Sequence, residues 1–433
     1  VTLGDSNYIK QVIPQSDGKI LICGQITSVN GVERIGIARL NEDGSLDNSF
    51  QPNLPAGTRI DRMLLKMDGN ILVASGGNKV RQLGSDGVVQ ISFSFGNVPG
   101  YGEASTGAKG FIQLADGKIL VLGSMYVPSL TQWNGIYRVN NDGSLDLGFI
   151  YPAAATADVR SMAVLPSGKI MIGGITMANL PNSYGNLFRL ESNGAIDPTF
   201  NNGNLGPNQP VEAITLYNNL MVIAGSFSSY NNLTVNNVAF IEENGSLNTN
   251  FQTGSGFDTG IIHTTKRYGG ILLVGGQFQS FNGVARQSFA GLNLNGTLNS
   301  DVNSNNIITS TGSAVYDIGI QNDGKIIIAG ALTFSSTGGK KATSGLVRFL
   351  APNLNINDIT TSKINFYPNP AKEILNFSVE VSNTKISDLS GKIVKQISYS
   401  EKSINVSKLA KGIYIISATT KNKETINKKF IKQ

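Results

Sequence analysis

Side chains suited to catalysis or metal binding are scarce in this sequence of 433 residues. His263 is the only histidine and Cys23 is the only cysteine. A single thiol excludes an intramolecular disulfide and a cysteine-based structural zinc site, and a single histidine excludes most Ser/Cys-His-Asp triads and histidine-ligated metal sites. We therefore expect no resident metal or cofactor. His263 is predicted to lie on a β-strand, on the opposite face from Ile262 and Thr264.

Carboxylates are the remaining catalytic candidates, because two acids alone can hydrolyse glycosidic bonds. Most Asp and Glu side chains recur at equivalent turn positions, which favours a structural role. A few acids do not fit that pattern, such as Glu103, Asp158, Glu212 and Asp317. Asp158 and Asp317 lie near predicted strands and are the first candidates for mutation if activity is found. No catalytic constellation is visible, so we predict that the protein is not an enzyme.

Basic residues are concentrated at one end of the chain. Residues 355–433 hold 13 Lys, no Arg and 6 Asp+Glu, whereas residues 1–354 hold 22 Lys+Arg and 23 Asp+Glu. Only two of the 50 glycines, Gly391 and Gly412, lie beyond residue 354. The change of composition predicts two domains, 1–354 and 355–433. Lysine without arginine is typical of a solvated cationic face, which argues against nucleic acid as a partner.

Two kinds of turn alternate through residues 1–354, and the elements around them must position the polar side chains. The first is typified by Asp17-Gly18-Lys19 and the second by Asp43-Gly44-Ser45. Both recur at a period of about 51 residues, which is typical of propellers and solenoids. Asp-Gly between β-branched runs favours a hairpin, so each repeat is predicted to hold two hairpins, or four strands.

Seven such repeats fill residues 1–354, so the sequence predicts an all-β fold with a seven-bladed β-propeller of four-stranded blades. The seventh repeat runs from Leu346–Leu350 into Ala351-Pro352-Asn353 without the second turn, so its fourth strand is missing. We expect residues at the N-terminal end to supply that strand and close the ring. We also expect natural residues, including a signal peptide, to precede Val1.

Arginine and aspartate recur together around the second turn, as Arg39 with Asp47, Arg138 with Asp146, and Arg189 with Asp197. Positions placed this way lie opposite each other on two strands, which predicts structural ion pairs rather than a binding ring. The turns also resemble calcium loops, but Tyr151 stands where an EF-hand has its bidentate Glu, so turn formation is preferred. A recurrent Phe is predicted in the core between blades: Phe50, Phe93, Phe149, Phe200 and Phe251.

Two strings carry a resemblance to a known repeat. Asp17–Gly24 reads Asp-Gly-Lys-Ile-Leu, two further residues and Gly, and Arg39–Phe50 reads Arg-Leu-Asn-x-Asp-Gly-Ser-Leu-Asp-x-Ser-Phe. Both resemble bacterial delta-60 (propeller-type) repeats, and the resemblance covers residues 1 to about 350. It implies a propeller fold and does not identify a function, because one fold supports many functions.

Residues 355–433 have the pattern of a different β domain. Asn365-Phe366-Tyr367-Pro368-Asn369-Pro370 precedes the predicted strands, which are Ile374–Val379, Thr384–Leu389, Ile393–Tyr399, Ser403–Val406, Gly412–Thr419 and Thr425–Ile431. A turn signal at Asp388-Leu389-Ser390-Gly391-Lys392 lies between two of them. This number of short strands in so short a segment predicts a small antiparallel β-sandwich.

The order of these motifs closely resembles the type A sorting domain of the type IX secretion system of Bacteroidota, over residues 362–433. The resemblance implies export across the outer membrane and recognition of residues 355–433 by the translocon and its outer-membrane shuttle protein, usually with cleavage. The terminal strand is expected to offer an open edge for β-augmentation. The candidate secretion-signal residues are Tyr367, Pro368, Asn369, Pro370, Gly391, Lys392, Gly412, Tyr414, Lys428, Lys429, Phe430 and Ile431.

Together these patterns predict a secreted or cell-surface propeller that acts as an interaction or adhesion module. Its partner would be an unknown surface protein or glycan. A polysaccharide hydrolase or lyase, or a lectin without catalysis, is the alternative. No apolar run reaches the roughly 20 residues of a membrane-spanning helix.

Overall fold

The computed structural model describes residues 1, 3, 7–75, 79–98, 102–103, 105–127, 132–149, 158–175, 186–201, 205–217, 220–258, 260–303, 308, 312–335, 341–349, 366–367, 371–387, 393–420 and 425–432. In these residues the regular structure is all β, which confirms the predicted fold class. The chain divides into two compact units, Val1–Leu354 and Asn355–Gln433. None of the described residues forms a helix with the length and apolarity needed to cross a membrane.

The described part of the first unit contains seven antiparallel sheets, each with a first, second and third strand in chain order. The first strands are Tyr8–Pro14, Ile60–Leu65, Ser105–Gln113, Val159–Val164, Val211–Tyr217, Ile261–Tyr268 and Ala314–Ile320. The second strands are Ile20–Gln25, Ile71–Ser75, Ile119–Val127, Ile170–Gly174, Leu220–Gly225, Ile271–Gln277 and Ile326–Ser335. The third strands are Ile37–Leu40, Lys79–Leu83, Gln132–Val139, Leu187–Leu190, Val238–Glu242, Phe289–Asn293 and Lys341–Phe349.

The predicted hairpin turns are formed as the sequence requires. In the first of them Gly18 has φ +85°, and its N–H donates to the Gln15 carbonyl. Asp17 Oδ1 accepts a hydrogen bond from the Lys19 N–H at 3.1 Å. Glycine adopts a positive φ without the steric penalty of a Cβ, and the Asp side chain caps the turn, so the Asp-Gly pair sets the register of the hairpin.

The predicted fourth strand is much shortened in most sheets. A full fourth strand, Leu298–Asn303, is present in the sixth sheet. In the first five sheets the corresponding residues make a single antiparallel bridge, such as Leu40 with Leu46. The fourth strand is short because the second turn is tight and a further turn follows it, in which the Phe50 N–H donates to the Asp47 carbonyl. The chain then continues to the next sheet.

Short two-stranded ribbons add to the sheets. In the described residues they are Ser28–Val29 with Val32–Glu33, Asn97–Val98 with Gly102–Glu103, Ser229–Tyr230 with Leu233–Thr234, and Ser280–Phe281 with Val284–Ala285. Three of them connect a second strand to the third strand of the same sheet. These connections therefore fold back on themselves rather than forming open loops.

Buried apolar side chains fill the spaces between consecutive sheets, and one cluster joins the first sheet to the seventh. That cluster contains Ile9 and Ile22 of the first sheet with Ile327 and Ala329 of the seventh, all fully buried. The ring is therefore closed by side-chain packing. The predicted closing strand is not seen in the described N-terminal residues, since Leu3 bridges Val29 of the first ribbon.

The second unit is built around one long strand, Ile374–Ser387, where two strands were predicted. Asn383 has φ +50° and the pairing register shifts around it, so the predicted gap is a bulge inside a continuous strand. The first half of the strand pairs with Phe366–Tyr367 and Glu401–Asn405, and the second half with Ile393–Ile397 and Gly412–Thr420. Thr425–Lys432 then pairs with Gly412–Thr420.

Alternation of buried side chains explains the core of the second unit. Tyr414, Ile416 and Ala418 are buried on one face of their strand, as a period of two requires. They pack in one cluster with Leu375, Phe377, Ile386, Ile404 and Phe430. The two halves of the long strand therefore share a single apolar core.

Candidate functional site

Each first strand of the seven sheets contains a β-bulge at the equivalent place. In each case one residue of the first strand is left without a partner on the second strand. A bulge re-aims one side chain and often lies beside a functional site. The seven bulge residues, called the central ring below, are Lys10, Asp61, Lys109, Arg160, Glu212, His263 and Tyr316.

Glycines on the second strands make room for these bulges. A Cβ on Gly24 would lie 2.1 Å from the Tyr8 carbonyl oxygen, and a Cβ on Gly276 would lie 2.4 Å from the Ile261 carbonyl oxygen. No real side chain tolerates such contacts, so these two positions require glycine. A recurrent glycine near the end of the second strand therefore marks the bulge in most sheets, whereas the second sheet has Ser75 at the equivalent position.

The central ring lines one cavity with a volume of about 380 Å³, together with Arg62 and Ala108. Because every one of the seven sheets contributes a residue, the cavity lies where the seven first strands converge. Small-ligand sites typically have volumes of about 300–1,000 Å³. The cavity has the size of a site for one small molecule or for the end group of a larger one.

One side of the central ring consists of ion pairs. Arg160 pairs with Asp158 at 3.0 Å and also contacts Glu212, and Lys109 contacts the same Asp158. Burial raises the pKa of Asp158, but the hydrogen bonds from Lys109 and Arg160 outweigh it and hold that pKa below its ordinary value. The charges of these side chains therefore compensate one another. Asp158 does not line the cavity itself, but it pairs with two residues that do.

The other side of the ring is cationic and aromatic. Lys10 Nζ lies 3.8 Å from the centroid of the Tyr316 ring and 5.4 Å from that of Tyr8. Burial and the neighbouring Arg62 guanidinium lower the pKa of Lys10. In the part of the chain that the structure describes, neither Lys10 nor Arg62 has a carboxylate at ion-pair distance. Arg62 instead donates to the Asp61 carbonyl at 2.9 Å.

His263 lies on this cationic side, with its ring 5.3 Å from that of Tyr316. Burial, Lys10 and Arg62 lower the pKa of His263 to about 4, so the imidazole is uncharged at neutral pH. Ile262 and Thr264 are buried on the other face, as predicted, although a bulge rather than simple alternation separates them from His263. Cys23 is fully buried, and burial raises the pKa of its thiol, which keeps it protonated and unreactive.

Asp317, a predicted candidate, does not line the cavity. It follows the bulge residue of the seventh sheet, and its Oδ2 accepts a hydrogen bond from the Val12 N–H of the first sheet at 2.9 Å. Burial raises the pKa of the Asp317 carboxyl. Gln11 makes the equivalent link between the first and second sheets, by accepting from the Met63 N–H at 2.7 Å. Asp317 therefore closes the ring of sheets.

The predicted arginine–aspartate pairs are confirmed, and a lysine joins each of them. Arg189 Nε lies 2.6 Å from Asp197 Oδ2, and Lys169 Nζ of the first turn lies 2.8 Å from the same oxygen. Arg189 also donates to the Glu243 carbonyl of the next sheet. Its guanidinium carbon lies 5.1 Å from the centroid of Phe200. The equivalent triads, called the outer triads below, are Lys19–Asp47–Arg39 and Lys118–Asp146–Arg138.

The turn considered as a calcium loop is occupied by its own hydrogen bonds. Asp142 Oδ1 accepts from the Ser144 N–H at 2.9 Å and from its hydroxyl at 2.7 Å. Asp146 accepts from Lys118 and Arg138. Among the described residues no group of three or more His, Cys, Asp or Glu side chains is placed to hold a metal ion.

The predicted core phenylalanines are mostly buried. Phe50, Phe149, Phe200 and Phe251 are 0%, 9%, 1% and 5% exposed, and Phe93 is partly buried. Phe50 packs beneath the turn glycine of the next sheet, where a Cβ on Gly87 would lie 3.1 Å from its ring. These rings therefore connect consecutive sheets.

The candidate secretion-signal residues have contrasting environments. Tyr367 is 57% exposed, whereas Tyr414 and Phe430 are buried and stacked with ring centroids 5.6 Å apart. Gly412 begins its strand opposite Lys432, and the backbones of Lys428, Lys429 and Ile431 belong to the terminal strand. That strand also meets Ala371 through a parallel bridge at Lys432, so its outer edge is partly covered. Pro368, Asn369, Pro370, Gly391 and Lys392 lie outside the described residues.

Sequence reasoning selected only two members of the central ring, Glu212 and His263. It missed Lys10, Asp61, Lys109, Arg160 and Tyr316, because their chemical types differ from repeat to repeat. The period of about 51 residues applied to His263, together with the glycine near the end of most second strands, would have located them. The backbone of Glu103 belongs to a short ribbon.

Family models match both units. A β-propeller domain of unknown function, DUF5122, matches residues 15–50, 114–149, 165–200 and 219–251. A secretion system C-terminal sorting domain matches residues 365–433. A comparison with curated proteins gives no match.

Solved structures are similar at low sequence identity. PorZ, described as a surface component of the type IX secretion system of Porphyromonas gingivalis, is 12% identical with a TM-score of 0.49, over 100% of this chain and 60% of that one. The extracellular domain of a B. thetaiotaomicron protein described as a hybrid two-component system is 12% identical with a TM-score of 0.48, over 99% and 56%. The WD40 propeller of Doa1 is 10% identical with a TM-score of 0.49, over 80% and 94%.

The chain thus spans less than two thirds of the first two of these structures. The family models, by contrast, agree with the two units found in the fold. The chain carries repeats of the DUF5122 β-propeller family followed by a C-terminal sorting domain of the type IX secretion system family, and the protein is accordingly exported to the cell surface.

Proposed function

We propose that the exported propeller is a non-catalytic recognition module that binds an extracellular partner through the cavity of the central ring. The observation that carries this proposal is the asymmetry of the ring. Seven equivalent bulges present cationic, anionic, aromatic and neutral polar side chains to one cavity. Equivalent positions that served only stability would be expected to keep the same residues, as the outer triads do in three of the repeats.

The charges of the cavity support binding over acid–base catalysis. A hydrolase that uses two carboxylates needs one of them protonated near neutral pH. Asp61 pairs with Arg59 at 3.0 Å and Glu212 contacts Arg160, so both carboxylates of the cavity already have cationic partners. Asp317, whose pKa is raised, is used in the contact between the seventh and first sheets. We therefore propose adhesion or ligand capture in preference to turnover.

Binding assays on the secreted, full-length protein test this function. A glycan array and capture of extracellular material would be combined with a reducing-sugar assay on the bound polysaccharides. We expect binding without release of reducing ends, and loss of binding in Arg160→Gln with Glu212→Gln. Thr27→Ala, outside the ring cavity, is the control and should bind normally. Turnover by the protein, or unchanged binding in the ring variant, would contradict the proposal.

We further propose that the translocon and its outer-membrane shuttle protein bind residues 355–433 directly, and that Tyr367 is part of the recognised surface. Its side chain is 57% exposed and precedes the Pro-Asn-Pro segment. Deletion of Lys428–Gln433 is expected to trap the protein in the cell envelope, but it also removes the core residue Phe430. Substitution of an exposed tyrosine separates recognition from folding.

Secretion of Tyr367→Ser can be compared with that of Tyr399→Ser, a tyrosine outside the motif with 67% exposure. We expect Tyr367→Ser to accumulate in the envelope and Tyr399→Ser to reach the medium or the surface. Fractionation and immunoblotting measure both. Normal export of Tyr367→Ser would remove that residue from the recognised surface, and normal export of the truncated chain would refute the sorting role.

A further inference from the structure

We propose that the cavity binds a sugar carboxylate, that is, a uronic acid residue, with its carboxylate held by Lys10 and Arg62. This inference rests on the proposed recognition function and names its ligand class. It follows from the charge distribution of the cavity, the size of the cavity and the hydrogen-bonding groups around it.

The charge distribution selects an anion. Four cations line the cavity, and the described partners of two of them, Lys109 and Arg160, are carboxylates. Lys10 and Arg62 are half-buried and have no such partner among the described residues. Two neighbouring cations that repel each other are stabilised by an oxyanion between them, and an arginine can bind a carboxylate through two parallel hydrogen bonds.

The position of Lys10 also fixes where the anion binds. Its ammonium lies over one face of Tyr316, so that face of the ring positions the charge and is not available to stack on a ligand. His263 is uncharged and lies against the same ring, and it offers a neutral hydrogen-bonding group. The anionic end of the ligand is therefore placed at the cationic and aromatic side of the cavity.

The rest of the cavity suits hydroxyl groups. Asp61, on the sheet next to that of Lys10, and Glu212 supply acceptors, and Arg160 supplies donors. Each hydroxyl of a sugar both donates and accepts, so it can satisfy such a mixed set. An amino acid would bring an ammonium group next to the cations, and an acidic peptide would bring further negative charges toward Asp61 and Glu212. One carboxylate on a polyhydroxylated ring is the best match.

The cavity volume of about 380 Å³ is sufficient for one sugar unit. The site therefore suits a chain end or a single residue of an acidic polysaccharide.

Calorimetric titration of the full-length protein at low salt tests the proposal, with D-glucuronate, D-glucose and L-glutamate as probes. We expect glucuronate to bind at least about tenfold more tightly than either of the other two, which corresponds to about 1.4 kcal/mol. Lys10→Gln and Arg62→Gln should each remove this preference. Lys10→Arg should restore much of it, which excludes misfolding as the cause. Lys325→Gln, the same change at an outer turn, is the control.

Equal binding of glucose and glucuronate, or an unchanged preference in Lys10→Gln, would overturn the carboxylate site. Glutamate binding as tightly as glucuronate would overturn the sugar assignment. The recognition function would survive such results if Arg160→Gln with Glu212→Gln still abolished capture of extracellular material. If every ring variant kept both the preference for glucuronate and the capture of extracellular material, both proposals would be overturned.

Discussion

The outer triads and the central ring both occupy equivalent positions of the repeat, but they differ in which residues stand at those positions. Three repeats place the same Lys, Asp and Arg at the outer turn, where all three polar groups meet one another. The central ring uses a recurrent backbone bulge and places seven chemically varied side chains on it. In this chain, equivalent positions that keep the same residues have a structural role, whereas equivalent positions with different residues form an asymmetric site.

Exceptions among the outer turns support this distinction. The second repeat lacks the arginine and aspartate, and Gln82 donates to Gln90 at 2.6 Å in their place. The fifth repeat has Asn248, which donates to Glu242 at 2.9 Å. The contact between the two strands is kept although the charges are lost. In the central ring, by contrast, the seven equivalent positions carry different side chains that face one shared cavity.

Removal of the acid from an outer triad is expected to have the largest effect. Asp197→Ala leaves Arg189, whose side chain is 6% exposed, without a carboxylate. Breaking such a buried pair typically costs about 3–5 kcal/mol. Urea denaturation of the propeller measures the loss. Asn248→Ala in the fifth repeat is the matched control, and it should cost about 1 kcal/mol as the loss of one hydrogen bond.

The same pair has a defined pH dependence. Burial raises the pKa of Asp197, but bonds from Lys169, Thr199 and Arg189 hold it well below its ordinary value. The ionised Asp197 therefore stabilises the fold when the pH is above the ordinary pKa of an aspartate. This stabilisation is lost as the pH falls through the lowered pKa. In a double-mutant cycle with Arg189→Ala, additive losses would show that the two side chains do not stabilise each other.

A change at a bulge glycine should have an intermediate effect on both regions. A Cβ at residue 276 would lie 2.4 Å from the Ile261 carbonyl oxygen, beside His263. Gly276→Ala should therefore destabilise the sixth sheet by about 1–3 kcal/mol and displace the ring side chain. Denaturation and ligand titration measure the two effects. Gly312→Ala, where an added Cβ meets no atom within 4 Å, is the control and should change neither quantity.

The propeller class and the outer triads were predictable because both depend on local, repeated signals. Asp-Gly fixes a hairpin, and residues around one hairpin must face each other, so the pairing of Arg189 with Asp197 follows from spacing. The central ring depends on contacts between the first strands of different sheets, more than 40 residues apart in sequence. Only Glu212 and His263 attracted attention, because one acid was unexplained and the histidine was the only one in the chain.

The sorting domain shows the same limit. Its motifs identified the family, but the pattern of strand breaks suggested two strands where one continuous strand is formed. A positive φ at Asn383 lets the strand bend without ending, and a bulge of this kind has no clear signal in the sequence. The burial of Tyr414 against Phe430 also depends on pairing between two strands, so the motif alone did not separate core residues from the exposed Tyr367.

Substitution of Asp317 should change stability in the opposite direction from substitution of an outer-turn acid. Burial raises the pKa of Asp317, so the contribution of this carboxyl to the stability of the fold is largest when the pH is below the ordinary pKa. This contribution is lost as the pH rises through the raised pKa. Asp317→Asn stays neutral and keeps an acceptor for the Val12 N–H, so it should be more stable than the parent at pH 7. This difference should vanish in acid.

Asp323→Asn is the matched control for Asp317→Asn. The Lys325 side chain lowers the pKa of Asp323, so its neutral variant should lose stability at pH 7 instead of gaining it. Denaturation at pH 3 and pH 7 distinguishes the two signs. A destabilised Asp317→Asn at pH 7 would show that the ionised carboxyl is needed for closure of the ring.

The smallest effect on stability is expected from the ring residue with the largest expected effect on binding. Lys10→Gln removes a cation–π contact worth roughly 0.5–1 kcal/mol, but it also relieves repulsion from Arg62, which contributes to the lowered pKa of Lys10. The two terms oppose each other, so the free energy of unfolding should change by less than about 1 kcal/mol. Lys169→Gln in an outer triad should cost more, since it leaves Asp197 without one of its two cations. If Lys10→Gln lowers the free energy of unfolding as much as Asp197→Ala does, the central ring is a structural element. The different side chains at its seven positions would then need another explanation.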